Sequence, residues 1–308
     1  LNSITISFRI SLFCSNFAVV NSNCYILIMS AKKILFITQE MVPYVDDSAM
    51  SLSGRSIPQA VQENGREIRT FMPRWGIINE RRNQLHEVIR LSGMNIIIDD
   101  TDHPLIIKVA SIQSARMQVY FIDNDDYFHH RAMMNDADGS EYEDNAERAI
   151  FYARGVLETV KKLRWCPDVI HCHGWMSAIA PLYIRTAYKD EPPFANAKIV
   201  YSLYNEWPQL PPVANFEECL NFRDVTPELL RETGIDLTSP AALGQLAVRF
   251  SDGIIQGEPG AGAELLDYAK SLSIPVKEYP GEENLGEMYG SFYDAIFGGN
   301  EAEDAVGE

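Results

Sequence analysis

From Lys32 onward, short apolar runs alternate with segments of helical periodicity. "KKILFIT" (32–38) is an uninterrupted apolar run of the kind found in strands buried on both faces. "SIPQAVQENG" (56–65) reads as a helix closed by Gly65, and "REIRTFMP" (66–73) as the next strand. "LIIKVASI" (105–112) and "MQVYFID" (117–123) predict two strands joined as a hairpin. "DNAERAIFYARGVLETVKKL" (144–163) carries apolar residues at i, i+3 and i+4 and predicts an amphipathic helix. Strands at 167–173, 197–205, 253–257 and 274–279 then alternate with helices at 176–188, 239–252, 263–273 and 286–297. This alternation predicts right-handed crossovers and one doubly wound, mostly parallel sheet with helices on both faces. The last helix is expected to pack back on the same domain.

Such sheets bind ligands outside the carboxyl ends of their strands. The rule selects the stretches 40–47, 73–76, 123–128, 171–176 and 204–207. Within them the candidate ligand-binding residues are Glu40, Tyr44, Asp46, Trp75, Asn124, Tyr127, His173, Trp175, Tyr204, Asn205 and Trp207. Aromatic faces beside a few directed polar groups suit a neutral sugar. His171 and His173 are two apart on a strand, and no CxxC or HxxxH lies near them to complete a zinc set. His173 lines the cleft on one reading and is a buried, backbone-bonded histidine on the other. The acidic stretch 124–144 approaches a calcium loop without its spacing and reads as a solvated surface loop.

Charge narrows the partners. The 308-residue chain carries a net −17, so it repels nucleic-acid phosphates and anionic membranes, while a neutral sugar polymer meets no such penalty. Five irregularly spaced cysteines without a CxxC pair read as reduced thiols and predict a cytoplasmic protein. Residues 1–28 carry one charge, Arg9, and differ from the rest. They read as a mis-called start before Met29, with a secretory signal as the alternative. Residues 29–297 read as one domain, and 298–308, acidic and poor in apolar groups, as a disordered tail.

Several stretches carry a family resemblance. "DNDDYF" followed by "DADGSEYEDNAERAIFYARGVLE" is similar to "DNPEYF…DNAERFAFFSRAALE". "PDVIHCHGWMSAIAPLYIR" is similar to "PDVVHAHDWHAALAPLYLK", "MPRWG" to "MPRYG", and "VYSLYNEW" stands in the place of "VFTIHNLAY". Over residues 33 to about 280 the chain resembles glycosyltransferase family 5, the bacterial glycogen synthases and plant starch synthases. The resemblance implies the N-terminal Rossmann-like half of a two-domain GT-B enzyme. It implies glucosyl transfer from ADP-glucose to an α-1,4-glucan with retention, and neither metal nor cofactor.

Three departures from the family pattern bear on activity. In "EMVPYVDDSAMSLSGRSIP" the family's phosphate-facing Lys falls on Asp46 and its Gly-Gly on Ser48 and Ala49. A carboxylate in place of an ammonium turns attraction into repulsion, about 4 kcal/mol at ~4 Å and a dielectric of ~20 before solvent compensates. The family's "HDWH" reads "HGWM", so an aspartate has become Gly174 and a histidine Met176; the histidine of its "HN" element has become Tyr204. The family's C-terminal half, with most of its nucleotide site, has no counterpart here. The expectation is therefore a glycogen-synthase-like protein with no catalytic residue assigned, binding an α-glucan or a protein of glycogen metabolism. The alternatives are half of a split glucosyltransferase, or a binder of an unrelated small molecule in the remnant cleft.

Overall fold

The structure, a computed structural model, describes residues 31–298. The readings made for residues 1–28 and for the acidic tail fall outside the described residues, apart from Gly298. The strands are β1 (Lys33–Thr38), β2 (Glu67–Pro73), β3 (His86–Glu87), β4 (Met94–Ile98), β5 (Thr101–Ile112), β6 (Met117–Asp123), β7 (Val169–His173), β8 (Lys198–Leu203), β9 (Gly253–Gln256) and β10 (Val276–Lys277). The helices are α1 (Ala49–Glu63), α2 (Asn145–Leu163), α3 (Ala180–Arg185), α4 (Phe216–Leu220), α5 (Pro227–Glu232), α6 (Ala242–Arg249), α7 (Ala263–Ser271) and α8 (Leu285–Gly298).

The strands form one sheet in the order β10-β9-β8-β7-β1-β2-β6-β5-β3, with β4 paired to β5. From β10 to β6 every pairing is parallel; β5 runs antiparallel to β6, as the hairpin reading expected, and β3 and β4 are antiparallel to β5. The order runs outward from β1 through β2 to β6, then returns to place β7 on the other side of β1. That reversal makes a switch point at the carboxyl ends of β1 and β7.

Both faces of the sheet are covered, which is why β1 is apolar at successive positions. Leu35 and Ile37 join the large core under α2, α3 and α6. Ile34 and Phe36 face a second cluster made with Ile57 and Val61 of α1 and Tyr289, Tyr293 and Ile296 of α8. The last helix thus packs back on the domain as expected. It is pinned by a bidentate pair from Arg66 to Asp294 (3.0 and 2.9 Å) and by a 2.6 Å hydrogen bond between Tyr293 Oη and His171 Nδ1.

Some boundaries differ from the sequence reading. Helix α1 starts at Ala49 rather than 56, because Ser48 and Ser51 form a reciprocal cap. Pro58 therefore lies inside the helix. Strand β5 extends back to Thr101 and pairs with β4, and β4, α4 and α5 had no counterpart in the sequence reading. Gly54 is required where α1 crosses the β1 exit, since a Cβ there would meet the Glu40 carbonyl oxygen at 2.1 Å.

The acidic loop before α2 is anchored by a fully buried arginine. Arg148 donates to the carbonyls of Tyr127 (3.0 Å), Ala132 (2.9 Å) and Met133 (2.6 Å), and to Asn145 Oδ1 (2.8 Å). Arg148→Met keeps the length of the side chain but leaves these acceptors without donors. Urea unfolding is expected to show a loss of about 3 kcal/mol, since each unsatisfied buried polar group costs ~1–3 kcal/mol.

Candidate functional site

The switch point is built from the residues that leave β1. Gln39 and Glu40 are buried, at 0% and 2% exposure. Gln39 Nε2 donates to Glu40 Oε1 at 3.0 Å, and Ser48 Oγ donates to Glu40 Oε2 at 2.6 Å. Gln39 Oε1 accepts from the Met176 amide at 3.3 Å, and its backbone carbonyl accepts from Trp75 Nε1 at 2.8 Å. One glutamine thus ties the ends of β1, β2 and β7 together. Glu40 receives the start of α1, where Ser48 both caps the helix and donates to the carboxylate.

On the β7 side, Gly174 has φ +74°, and its carbonyl accepts from Tyr201 Oη (2.6 Å) and Ser177 Oγ (2.9 Å). A Cβ there would stand 2.6 Å from Met50 Sδ and 2.9 Å from Gln39 Oε1. His171 and His173 are fully buried, with rings 3.9 Å apart. His171 lies between Tyr293 Oη (2.6 Å) and Ser202 Oγ (2.8 Å), and His173 Nδ1 is 3.2 Å from Tyr204 Oη. Burial drives both imidazoles down, His173 to about 3 and His171 well below its ordinary value, with His173 beside it adding to the effect. Both are neutral at physiological pH. His173 is thus a buried histidine, partnered by a tyrosine rather than by backbone.

The aromatic candidates separate by burial. Trp75 and Trp175 are fully enclosed, Tyr127 is 3% exposed and Tyr44 6%. Tyr127 reaches His103 Nε2 (3.1 Å) and Glu147 Oε2 (3.3 Å), and Asn124 turns its own loop by accepting from the amides of Asp126 and Tyr127. The expectation that these side chains present faces to a ligand is corrected. They pack the floor beneath the strand ends, because α1 and α2 close over it. Asp46 is exposed, as expected for a loop residue.

The structure does bring Tyr204, Asn205 and Trp207 together. They line a cleft of about 470 Å³ closed by the first turns of α6 and α7, with Gln209, Gln245, Glu264 and Tyr268. Trp207 Nε1 donates to the Tyr204 carbonyl at 2.9 Å, which fixes the indole. Glu141 accepts from the amides of Gln209 (2.8 Å) and Leu210 (3.2 Å), so the acidic loop holds the rim.

Two carboxylates at this edge escaped the sequence reading. Glu258 follows β9 and accepts from the Asn205 amide at 2.6 Å. Glu206 lies on the rim, yet its carboxyl is held above the usual range, first by crowding of that group by protein, then by the charges of Glu40 and Glu258. The strand-end rule applied to β9 selects Glu258, a stretch the sequence reading passed over. A second cleft of about 660 Å³ lies between α1, the loop at Gly257–Pro259 and the chain leading to α8; Arg55 is its lone lysine or arginine among the described lining residues. Arg55 donates to Ser114 Oγ at 2.9 Å. Among the described residues no three His, Cys, Asp or Glu side chains are grouped to hold a metal ion, and no helix is long and apolar enough to cross a membrane.

Comparison with known proteins follows this geometry. The family model of the starch synthase catalytic domain matches residues 33–269. A glycogen synthase of Chlorobium luteolum is 37% identical over 190 residues, which cover 61% of this chain and 39% of the relative. Glycogen synthases of Chlorobium limicola and Chlorobaculum tepidum are each 38% identical over 178 residues, 58% of this chain and 36% of theirs. The chain thus spans well under half the length of the curated relatives it matches. Among solved structures, the catalytic domain of Starch Synthase IV from Arabidopsis thaliana bound to ADP and acarbose superposes with a TM-score of 0.62 at 17% identity. That likeness covers 81% of this chain and 51% of the other, and it shows the fold.

Gly174→Asp, which restores the residue the family resemblance places there, is expected to destabilise rather than reactivate. The left-handed backbone and the contact with Met50 together cost about 1–3 kcal/mol, readable in the urea midpoint.

Glu206→Gln should raise the melting temperature at pH 7. The raised pKa means that the native state ionises Glu206 less readily than the unfolded chain does. The resulting penalty is absent below the ordinary carboxylate range and sets in as pH rises through and above it. The gain of the variant should therefore vanish near pH 4; an equal gain at both pH values would contradict this.

Proposed function

The chain belongs to the starch synthase catalytic domain family, and on that premise we propose that it binds α-glucan without transferring glucose by itself. The observation that carries this reading is the charge of the carboxyl edge. Glu40, Glu206 and Glu258 meet there, Asp46 and Asp47 are exposed on the adjoining loop, and no lysine or arginine lines the 470 Å³ cleft. A nucleotide diphosphate brought to this edge meets like charge, and the Ser48 hydroxyl that could donate to it is already spent on Glu40. The Arabidopsis structure carries ADP and acarbose; by analogy the present chain keeps the sugar-compatible part of such a site and has lost the diphosphate part.

A neutral oligosaccharide meets different surroundings. Trp207, Tyr268 and the edge of Tyr204 supply apolar ring contact, while Asn205, Gln209, Gln245 and Glu264 supply directed donors and acceptors. Buried His171 and His173, both neutral, are too enclosed to act as acid or base on a bound sugar. A cytoplasmic location and a protein partner in glycogen metabolism accord with this reading as further proposals.

A second reading rests on coverage. The matched stretches make up 39% and 36% of the glycogen synthases, so a separate polypeptide carrying the remainder would complete a split glucosyltransferase.

Calorimetry with ADP-glucose is expected to give a dissociation constant weaker than ~1 mM, about −4 kcal/mol. Titration with maltoheptaose, followed by tryptophan fluorescence, should saturate on the order of millimolar and change little with salt, since no ion pair is formed. Trp207→Ala should abolish that signal. No change up to ~20 mM maltoheptaose would exclude the glucan reading. Transfer from ADP-[14C]glucose to glycogen only after adding a cell extract would favour the split enzyme.

A further inference from the structure

At the amino edge of the sheet, far along β2 from the switch point, the ladder between β2 and β6 begins only at Thr70 and Val119. Ahead of that pair the chain leaves a notch of about 200 Å³, lined among others by Gln62, Arg66, Arg69, Arg116, Gln118 and Tyr120. Three arginines on one small concavity are out of keeping with a chain of net charge −17. Arg66 is neutralised by Asp294. Arg69 and Arg116 have no carboxylate partner among the described residues. Arg69 Nη1 donates to Tyr120 Oη at 3.0 Å and its guanidinium lies 5.2 Å over the Trp165 ring. Glu67 also lines the notch, with its Oε1 accepting from Trp165 Nε1 at 2.6 Å, so the two arginines without a carboxylate partner face one carboxylate there.

Unpaired atoms define what is missing. Arg69 Nε and Gln62 Oε1 are both buried without a hydrogen-bond partner, and both residues line this one notch. Buried polar atoms in native proteins are nearly always satisfied, so two orphans in one concavity call for a common partner. Arg69 Nε offers a donor with a positive charge behind it. Gln62 Oε1 is an acceptor, with its amide orientation set by the 3.5 Å contact from Nε2 to the Arg116 carbonyl. A fully deprotonated oxyanion would satisfy the arginines and be repelled by Gln62 Oε1. A hydrogen phosphate satisfies both, with anionic oxygens toward Arg69 and Arg116 and its hydroxyl donating to Gln62.

We propose that this notch is a binding site for a small phosphate-bearing ligand, separate from the carboxyl-edge cleft. Inorganic phosphate keeps its own hydroxyl at neutral pH, whereas a phosphate monoester, with a second pKa of about 6, is mostly the dianion and supplies the donor from its alcohol part. The test separates the two and compares them with sulfate, which has the same shape but no donor at neutral pH.

Calorimetry of the full chain with sodium phosphate, glycerol 3-phosphate and sodium sulfate at constant low ionic strength should give saturable binding of phosphate, on the order of 1 mM. Sulfate should bind about tenfold more weakly. Glycerol 3-phosphate binding more tightly than phosphate would identify the ester as the ligand, and the reverse would identify the free ion. Arg116→Gln, at an exposed position, should weaken phosphate about tenfold, whereas Arg90→Gln should leave it unchanged. Gln62→Ala should remove the preference for phosphate over sulfate. No saturable heat with phosphate, equal affinity for sulfate in the unaltered chain, or unchanged binding in Arg116→Gln would each overturn the assignment.

Discussion

The fold turns on the side chain of one glutamine at the end of its first strand. Gln39 accepts from the Met176 amide after β7, donates to Glu40, and through its backbone carbonyl holds Trp75 after β2. These groups sit where water cannot replace them, so each bond depends on the others being made. The hydroxyl that caps α1 also closes on Glu40, so helix placement and strand-end geometry form one network. Gly54 and Gly174 flank this network for the same reason: a methyl group at either would enter space the network already fills.

That tight closure explains why an edge that binds ligands in related folds is mostly floor here. The side chains after β2, β6 and β7 turn inward and pack against the core. What remains accessible is set by the loops after β8 and β9, whose exposed groups are carboxylates and amides with one partly exposed indole. The electrostatic character of the edge thus comes from residues that ride on the core rather than from those that build it.

The sequence made the layers legible because parallel strands covered on both faces must be apolar at every position, as in β1, and because α2 repeats its apolar stripe over nineteen residues. Strand β4 and helices α4 and α5 were illegible for the opposite reason. They are short and lie at the margin, and their places come from pairing and packing partners distant in sequence. The start of α1 was missed because its cap is two serines, each also common in loops. For the site, chain order put the eleven candidates near the strand ends but could not tell inward from outward. Trp175 and Trp207 read alike as letters, yet one is sealed in the core beside α2 and the other stands at a cleft. Glu206 and Glu258 carry no motif, and their significance appears only when β8 and β9 are seen side by side.

The pinning of α8 has a consequence for how the chain reaches this state. Asp294 accepts from the amide of Ala31 at 2.9 Å, a contact spanning 263 positions, and the helix covers Ile34, Phe36 and Val169. That face of the first strand therefore has only the part of its cover that α1 supplies until nearly the whole described chain has been synthesised. Non-local closure of this kind slows folding and leaves apolar surface open to intermolecular contact meanwhile. A nascent chain that has emerged only as far as β10 is thus the species that a holdase chaperone would meet.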